Sequence, residues 1–277
     1  MFSKIFYLGT PLFAAQILSD LLEKNFKILN VITMPDKPKG RGYQLCPTEV
    51  KVVAQANSIP VFQPTNVDEL RIFLAQEEPD LLIVVAYGMI FPRDLVDKYF
   101  FVNIHASILP KYRGSSPIQA PLLNGDKETG VTLMRIGHKV DDGDIIGQKV
   151  VPIVESDDLA SVSDKLMKAG VMVLAEQLVK PLAQWQFLKQ EEEKATFTKK
   201  VTKEDGLVDI AKDSTIDIIR KIKAYTPWPG VFTYKEGKRV KIIEAEINNG
   251  HFLIKKVQVE GKGIISYKEF VNSYGFL

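Results

Sequence analysis

The chain has 277 residues, and its 36 lysine and arginine side chains nearly balance 34 aspartate and glutamate side chains, which gives a net charge of +2. This length fits one large domain or two unequal domains. The single cysteine, Cys46, excludes an intrachain disulfide, and the small net charge does not by itself indicate a nucleic-acid-binding protein. We expect a cytoplasmic protein, because Gly9-Thr10-Pro11 interrupts the apolar N-terminus and no run of about 18 apolar residues follows.

The hydrophobic pattern predicts alternating strands and helices over the first two thirds of the chain. Strands are expected at 4–8, 28–33, 59–61, 80–86, 100–105, 130–136 and 145–151, and helices at 13–22, 49–57, 67–76, 116–123 and 159–185. This alternation predicts a doubly wound, mostly parallel α/β sheet of the Rossmann-like type. Such a sheet binds ligands beyond the carboxyl ends of its strands, here after residues 8, 33, 86 and 105.

Two segments interrupt this pattern. Residues 35–47, which we call the inserted segment, contain prolines and glycines at close intervals and are expected to form a loop. Residues 190–206 are charged and poor in large apolar side chains, and are therefore interpreted as a linker. The expected domains are thus 1–189 and 207–277. The second is a small β-rich unit with a helix at 214–224 and strands near 231–234, 240–247 and 252–259.

Asn103 and His105 stand out among the polar residues because they end the apolar strand FFVNIH. Residues two apart in a strand point to the same face, so both side chains are expected to project together at the carboxyl end of that strand. A polar pair that merely caps the sheet is the alternative interpretation. Of the other two histidines, His251 follows a turn signal and is expected on the surface. His138 lies in a loop, and a solvent-exposed histidine without a functional role explains it as well as a site residue does.

A second polar cluster is Val140-Asp141-Asp142-Gly143-Asp144. It is compatible with a surface turn, and it lacks the spacing and terminal glutamate of an EF-hand calcium loop. An Asn, a His and an Asp together favour acyl-type chemistry without a protein nucleophile, because the amide can donate to a developing oxyanion and a carboxylate can orient the imidazole.

Several other classes of site lack their sequence signals. The chain has no serine or cysteine in a nucleophile elbow. It has no G-x-G-x-x-G after the first strand, and Gly40-Arg41-Gly42 lacks the ending of a P-loop. With three histidines and one cysteine, we expect no metal site.

Four segments resemble the folate-dependent methionyl-tRNA formyltransferase family: FYLGTPLFAAQIL, VITMPDKPKGRGYQLCPTEVK, IVVAYGMIFP, and VNIHASILPKYRGSSPIQAPLLNGDKETGVTLMRI continuing to VDDGDIIGQ. The last segment resembles folate formyltransferases in general. The inserted segment and GSSPIQ are more particular to the tRNA enzymes. AYTPWPG (224–230) and VQVEGKGIISYKEF (257–270) are weakly similar to the family's C-terminal, OB-like domain, which this chain is expected to carry in a shortened form.

The resemblance implies a role for each matching residue. Asn103, His105 and Asp141 correspond to the catalytic trio of the family, which uses 10-formyltetrahydrofolate to formylate methionyl initiator tRNA. The residues expected to bind the folate are Tyr87, Gly88, Met89, Ile90, Ser107, Ile108, Leu109, Pro110, Val140 and Asp142. Lys37, Lys39 and Arg41 of the inserted segment are expected to approach the acceptor end of the tRNA, although a solvated basic loop explains them equally well without the resemblance.

Other functions share part of this signature. A sugar-nucleotide N-formyltransferase would use the same formyl donor with another acceptor. A formylfolate deformylase would replace the acceptor amine by water. A folate- or RNA-binding protein without catalysis would not need Asn103, His105 and Asp141 together. A nicotinamide dehydrogenase is the alternative at the level of the fold. We expect a monomer that does not associate with membranes.

Overall fold

The structure is a computed structural model, and it describes residues 2–39, 44–248 and 251–277. The chain falls into two compact units, which are described separately below. The elements in chain order are β1 (Ile5–Gly9), α1 (Leu12–Glu23), β2 (Asn30–Ile32), β3 (Lys37–Lys39), β4 (Gln44–Cys46), α2 (Glu49–Ala56), β5 (Val61–Phe62), α3 (Val67–Glu77), β6 (Leu81–Val85), α4 (Arg93–Lys98), β7 (Phe101–His105), β8 (Arg113–Gly114), α5 (Gln119–Asn124), β9 (Glu128–Arg135), β10 (Ile145–Pro152), α6 (Leu159–Leu178), β11 (Phe197–Thr198), α7 (Thr215–Tyr225), β12 (Val231–Lys235), β13 (Lys238–Asn248), β14 (His251–Val259), β15 (Ile264–Ser266) and α8 (Tyr267–Tyr274).

The first unit comprises residues Met1–Arg113, Thr129–Val151 and Ser163–Phe197. Its centre is a seven-stranded sheet in the order β10-β9-β7-β6-β1-β2-β5. The pairs β1–β2, β1–β6, β2–β5 and β6–β7 are parallel, and β7 pairs with β9 antiparallel. The expectation of a mostly parallel, doubly wound sheet is therefore confirmed.

The central strands of this sheet are apolar along their whole length. Every residue of β1 and of β6 is buried, as expected for parallel strands that are covered on both faces. α1 contributes Ala14, Ile17 and Leu21 to the core. Gly170 of α6 lies close to β7 and α1, since a Cβ at that position would lie 3.3 Å from side-chain carbons of Ile104 and Ile17.

The parallel strands bring several loops to one edge of the sheet. β1, β2, β6 and β7 run in the same direction, so the segments that follow Gly9, Ile32, Val85 and His105 all begin at their carboxyl ends. This is the edge at which open α/β sheets bind ligands.

Two predicted elements of the first unit differ from the structure. The inserted segment is not only a loop, because β3 and β4 form an antiparallel pair in which Lys37 faces Cys46. The helix predicted to extend from 159 to 185 ends at Leu178. Pro181 disfavours helical geometry in the residue before it and cannot donate a backbone hydrogen bond, which is why the helix does not continue to Trp185.

The second unit comprises Gly114–Glu128, Pro152–Val162 and Thr198–Leu277. Its sheet has the antiparallel order β12-β13-β14-β15. Val208, Ile218, Val231 and Ile242 form one buried cluster on it, and a second cluster surrounds Phe270. The small β-rich C-terminal unit is thus confirmed as an antiparallel sheet, with β15 and α8 in addition to the predicted elements. No helix in the described part of the chain is both long and apolar enough to cross a membrane.

Candidate active site

Strand β7 presents Asn103 and His105 at the carboxyl edge of the sheet. It lies between β6 and β9, where Asn103 pairs with Val84 on one side and with Met134 on the other. Asn103 is half-buried, and 6% of the His105 side chain is exposed. The strand's alternation places both side chains on one face, next to the loops that follow the parallel strands.

Both ring nitrogens of His105 face hydrogen-bond acceptors. Nε2 lies 2.9 Å from the carbonyl oxygen of Tyr112, and Nδ1 lies 3.5 Å from Oδ2 of Asp141. A carbonyl oxygen only accepts, so Nε2 carries a proton in this arrangement. The second contact is within ion-pair reach and longer than a usual hydrogen bond. The ring is therefore oriented at both ends, and an imidazolium could donate to both acceptors.

The residues that contact His105 have unusual backbone conformations. Tyr112 has φ +63° and Asp141 has φ +51°, both in the left-handed region. Ala86, at the start of the segment after β6, has φ +47°. Non-glycine residues in this region cost roughly 1–3 kcal/mol and persist only where surrounding contacts impose them. Four other non-glycine residues of the described chain share this conformation elsewhere, so it is the contacts of His105, rather than φ alone, that favour a functional interpretation over a simple polar cap.

The loop that carries Asp141, residues 137–144, is here called the acidic loop. Its two glycines permit close packing, since a Cβ on Gly143 would lie 1.8 Å from the carbonyl oxygen of Arg135, and one on Gly137 would lie 2.2 Å from Oδ1 of Asp142. The same Asp142 oxygen accepts from the Lys139 amide at 3.1 Å. Val140 is 62% exposed, so it lies on the surface of this loop.

The segment after His105 is fixed by β9 and β10. Thr132 donates to the Ser107 carbonyl at 2.7 Å and accepts from the Leu109 amide at 3.1 Å, while Gln148 donates to the Leu109 carbonyl at 2.8 Å. The side chains of Ser107 and Leu109 are buried, whereas Ile108 and Pro110 are half-buried. Of the four residues expected to bind folate here, Ile108 and Pro110 are therefore the ones with side chains accessible to a ligand.

The segment after β6 packs on the same buried cluster as the residue that precedes the acidic loop. Tyr87 and Met89 are half-buried and pack on the same buried cluster as Ile136, which immediately precedes the acidic loop. Ile90 is 87% exposed, and Gly88 is exposed beside Met34. Burial raises the pKa of the Tyr87 hydroxyl, and this oxygen has no hydrogen-bond partner among the described residues.

The inserted segment is anchored at its base. The carboxylate of Asp36 accepts hydrogen bonds from Lys51 at 2.6 Å and from Gln63 at 2.7 Å, and Gln63 also donates to the Met34 carbonyl at 2.9 Å. Lys37 is exposed on β3, and Lys39 ends that strand. Arg41 lies outside the described residues. No cluster of three metal-ligating side chains occurs in residues 2–39, 44–248 and 251–277.

Two residues next to this site, Arg113 and Gln190, are connected by hydrogen bonds that the sequence does not predict. Arg113 is 2% exposed, and its guanidinium binds Glu192 at 3.0 and 2.8 Å and Gln190 at 3.0 Å. Gln190 in turn donates to carbonyl oxygens of the acidic loop. Gln190 and Glu192 lie in the predicted linker. Hydrogen bonds to distant residues produce no periodic pattern in the sequence, so these two residues could not be recognised there. Arg113 stands directly before the GSSPIQ segment, and nothing in the sequence indicates that its side chain is buried.

Fold and site together define a doubly wound α/β protein in which an aspartate from the loop after β9 meets the histidine at the carboxyl end of β7. The family model "Formyl transferase" matches residues 3–178, and the model "Formyl transferase, C-terminal domain" matches residues 200–253. The chain is 34% identical to "Methionyl-tRNA formyltransferase" of Geobacter sulfurreducens over 98% of this chain and 94% of that protein. The chain belongs to the formyl transferase family.

Solved structures show the same fold. The structure of a methionyl-tRNA formyltransferase from Clostridium thermocellum has a TM-score of 0.66 at 17% identity, over 92% of this chain and 98% of that one. A sugar 3-N-formyltransferase, solved in the presence of dTDP and 5-N-formyl-THF, has a TM-score of 0.67 at 21% identity, over 94% of this chain and 98% of that one. At these identities the likeness establishes the fold alone.

Proposed function

We propose that this protein transfers the formyl group of 10-formyltetrahydrofolate to the free amino group of methionyl initiator tRNA, the reaction that prepares this tRNA for translation initiation. The proposal is carried by one observation: His105, beside Asn103, is held between the Asp141 carboxylate and the Tyr112 carbonyl at the carboxyl edge of the sheet. The names of the relatives support the acceptor, because the similarity to them extends over nearly the whole chain.

The reaction requires no nucleophile from the protein. When bound, the folate supplies the formyl group on N10. The amine nitrogen of the acceptor forms a bond to the formyl carbon, the bond from that carbon to N10 breaks, the amine loses a proton and N10 gains one. Charge therefore develops on the formyl oxygen, and one proton has to move.

Asn103, His105 and Asp141 match these needs. The Asn103 amide donates to the formyl oxygen as charge develops there; removal of one such donor elsewhere costs about 2.7–4 kcal/mol. His105 stabilises the same charge and transfers the proton through Nε2, which exchanges the Tyr112 carbonyl for the substrate in this step. Asp141 orients the imidazole through Nδ1, from 3.5 Å. All three lie within the first unit, so the chemical step is assigned to that unit.

The folate is assigned to the surface between the segment after β6 and the acidic loop. A pteridine ring needs an apolar slot with a few polar partners. Tyr87 and Met89 pack on the same core cluster as Ile136, which leads into the acidic loop with Val140 and Asp142. The buried Tyr87 hydroxyl offers a hydrogen-bonding group there. Ile108 and Pro110 supply apolar contact from the segment after β7, and Gly88 and Ile90 complete the candidate set.

The tRNA is assigned to the inserted segment, through Lys37, Lys39 and Arg41, and to the second unit. Lysine and arginine contacts to phosphate account for most of the affinity of proteins for nucleic acids. We further propose a monomeric, cytoplasmic enzyme that needs no metal, with domains 1–189 and 207–277 and a linker at 190–206.

Formyl transfer from 10-formyltetrahydrofolate by the purified protein tests this function, with methionyl initiator tRNA and an amino-sugar nucleotide as parallel acceptors. Formylated methionyl-tRNA is the expected product. Transfer to the sugar alone would keep the role of Asn103, His105 and Asp141 but refute the acceptor. Binding of the folate without transfer to either acceptor would refute the proposed activity.

A further inference from the structure

The side chain of Gln190 connects a buried arginine to the backbone of the acidic loop. Its Oε1 accepts a hydrogen bond from Nε of Arg113 at 3.0 Å. Its Nε2 donates to the carbonyl oxygens of Asp141 at 2.8 Å and of Gly143 at 2.7 Å. We propose that Gln190 is a positioning residue for formyl transfer, which holds the backbone at Asp141 so that the carboxylate faces His105. This inference rests on the proposed function.

The partners of Gln190 fix the orientation of its amide. A guanidinium has only donors and a carbonyl oxygen has only acceptors, so a flipped amide would place donor against donor and acceptor against acceptor. An amide is the only uncharged end group that can accept on one side and donate twice on the other. A glutamate of the same shape could keep the contact with Arg113 but would place an oxygen against two carbonyl oxygens.

The contacts of Gln190 close a ring that contains both partners of His105. Tyr112, whose carbonyl oxygen binds Nε2 of His105, is bonded in the chain to Arg113. Arg113 binds Gln190, Gln190 binds the backbone of Asp141, and Asp141 faces Nδ1 of His105. One buried guanidinium therefore fixes the two groups that orient the imidazole from opposite ends.

The backbone of Asp141 needs such a restraint. Its φ of +51° lies in a region that non-glycine residues seldom adopt, and residues held there depend on contacts that impose the conformation. Gln190 binds the carbonyl of Asp141 itself and that of Gly143, on either side of Asp142. Loss of both hydrogen bonds would allow the loop to relax and the carboxylate to move away from His105. A misplacement of about 1 Å near reacting groups can cost about 100-fold in rate.

Three variants of the full chain test this role: Gln190→Ala, Gln190→Glu, and Gln186→Ala as the matched control, because Gln186 is exposed four residues earlier. We expect the two changes at 190 to lower kcat by about 10- to 100-fold while the KM for methionyl-tRNA changes little. Gln186→Ala is expected to match the parent. Wild-type kcat in Gln190→Ala would overturn the proposal. So would wild-type kcat in Gln190→Glu, because this side chain fills the same space without donating. Thermal unfolding shows whether each variant is folded, and Gln190→Glu keeps the test informative if the alanine variant is not.

A double-mutant cycle shows whether Gln190 acts through Asp141. In single turnovers, Gln190→Ala should cost much less when Asp141→Ala is already present, because no carboxylate is then left to position. An equal cost in both backgrounds would overturn the proposal. The cycle also distinguishes failure of the proposed function from failure of the role of Gln190. Near-normal turnover in Asp141→Ala alone would refute the catalytic assignment under the proposed function, whereas slow turnover there with normal turnover in Gln190→Ala would refute only the role of Gln190.

Discussion

The acidic loop and the inserted segment are both irregular in sequence, yet they are held in different ways. The acidic loop is bound along its backbone by Gln190, and its Asp141 carries a left-handed φ next to the buried His105. The inserted segment is fixed at its base by Asp36, Lys51 and Gln63, and beyond this base Lys37 lies exposed on β3.

This difference fits the two tasks that we propose for these segments. Groups that act on developing charge must be held within a fraction of an ångström before the substrate arrives, and buried hydrogen bonds provide that restraint. Contacts with a polyanion depend on charge and tolerate a less rigid setting, so the exposed Lys37 on the β3–β4 pair is suited to such a contact. We therefore expect changes at Asn103, His105 and Asp141 to affect kcat, and changes in the inserted segment to affect the KM for the tRNA.

The largest effect is expected at His105. His105→Ala should lower kcat by about 10²- to 10⁴-fold, the range for loss of a group that transfers a proton. His138→Ala is the matched control, because His138 also contacts a carboxylate, Asp97 at 2.7 Å, but is 43% exposed. Steady-state formyl transfer measures both. Equal losses in the two variants would mean that the buried setting of His105 has no special importance.

The next largest effect is expected at Asn103. Asn103→Ala should lower kcat by about 10²- to 10³-fold through loss of a donor to the formyl oxygen, with little change in folate binding. Asn57→Ala serves as control. Asn57 is exposed, and its amide donates to the Val53 carbonyl of α2. Folate titration and kcat are measured on the same preparations. Weakened folate binding with unchanged kcat would reassign Asn103 to binding.

A smaller effect, on a different parameter, is expected for the inserted segment. Lys37→Ala should raise the KM for methionyl-tRNA several-fold and leave kcat unchanged. The slope of log affinity against log salt concentration should fall by about 1, as for one lost phosphate contact. Lys24→Ala, an exposed lysine after α1, is the control. A loss in kcat with unchanged salt dependence would contradict the separation of tasks.

The smallest effect concerns stability at the base of the inserted segment. Hydrogen bonds from Lys51 and then Gln63 lower the pKa of Asp36. The stabilising effect of its carboxylate is therefore complete above the ordinary aspartate pKa of about 3.9 and is lost as the pH falls through the lowered pKa of the folded state. Asp36→Asn should lower Tm slightly at pH 7 and converge with the parent in acid. A difference in Tm that is constant from pH 7 to pH 2 would contradict this account.

The sequence predicts the sheet well because buried parallel strands are continuous apolar runs, as in LLIVV of β6. It also places Asn103 and His105 together, since two residues of separation fix a common face. The helix predicted for 159–185 was wrong at its end, because apolar residues at helical spacing continue past Pro181 although the helix ends at Leu178. α8 was missed although Ser266 and Glu269 form a capping box that the sequence displays.

The contacts around the site could not be predicted in the same way. The distance between His105 and Asp141 depends on how β9 returns along β7, and the role of Gln190 depends on a buried arginine 77 residues earlier in the chain. Hydrogen bonds between distant, irregular segments follow no period, so the charged composition of residues 190–206 indicated only a linker.

The pairing of Asp141 with His105 is the central feature of the proposed site, and the single-turnover rate of formyl transfer in Asp141→Ala tests it. With 10-formyltetrahydrofolate and methionyl initiator tRNA both saturating, we predict a rate at least about 100-fold below that of the parent, in a protein that unfolds at a similar temperature and still binds the tRNA. A rate close to that of the parent would contradict the assignment of the chemistry to the carboxyl edge of the sheet.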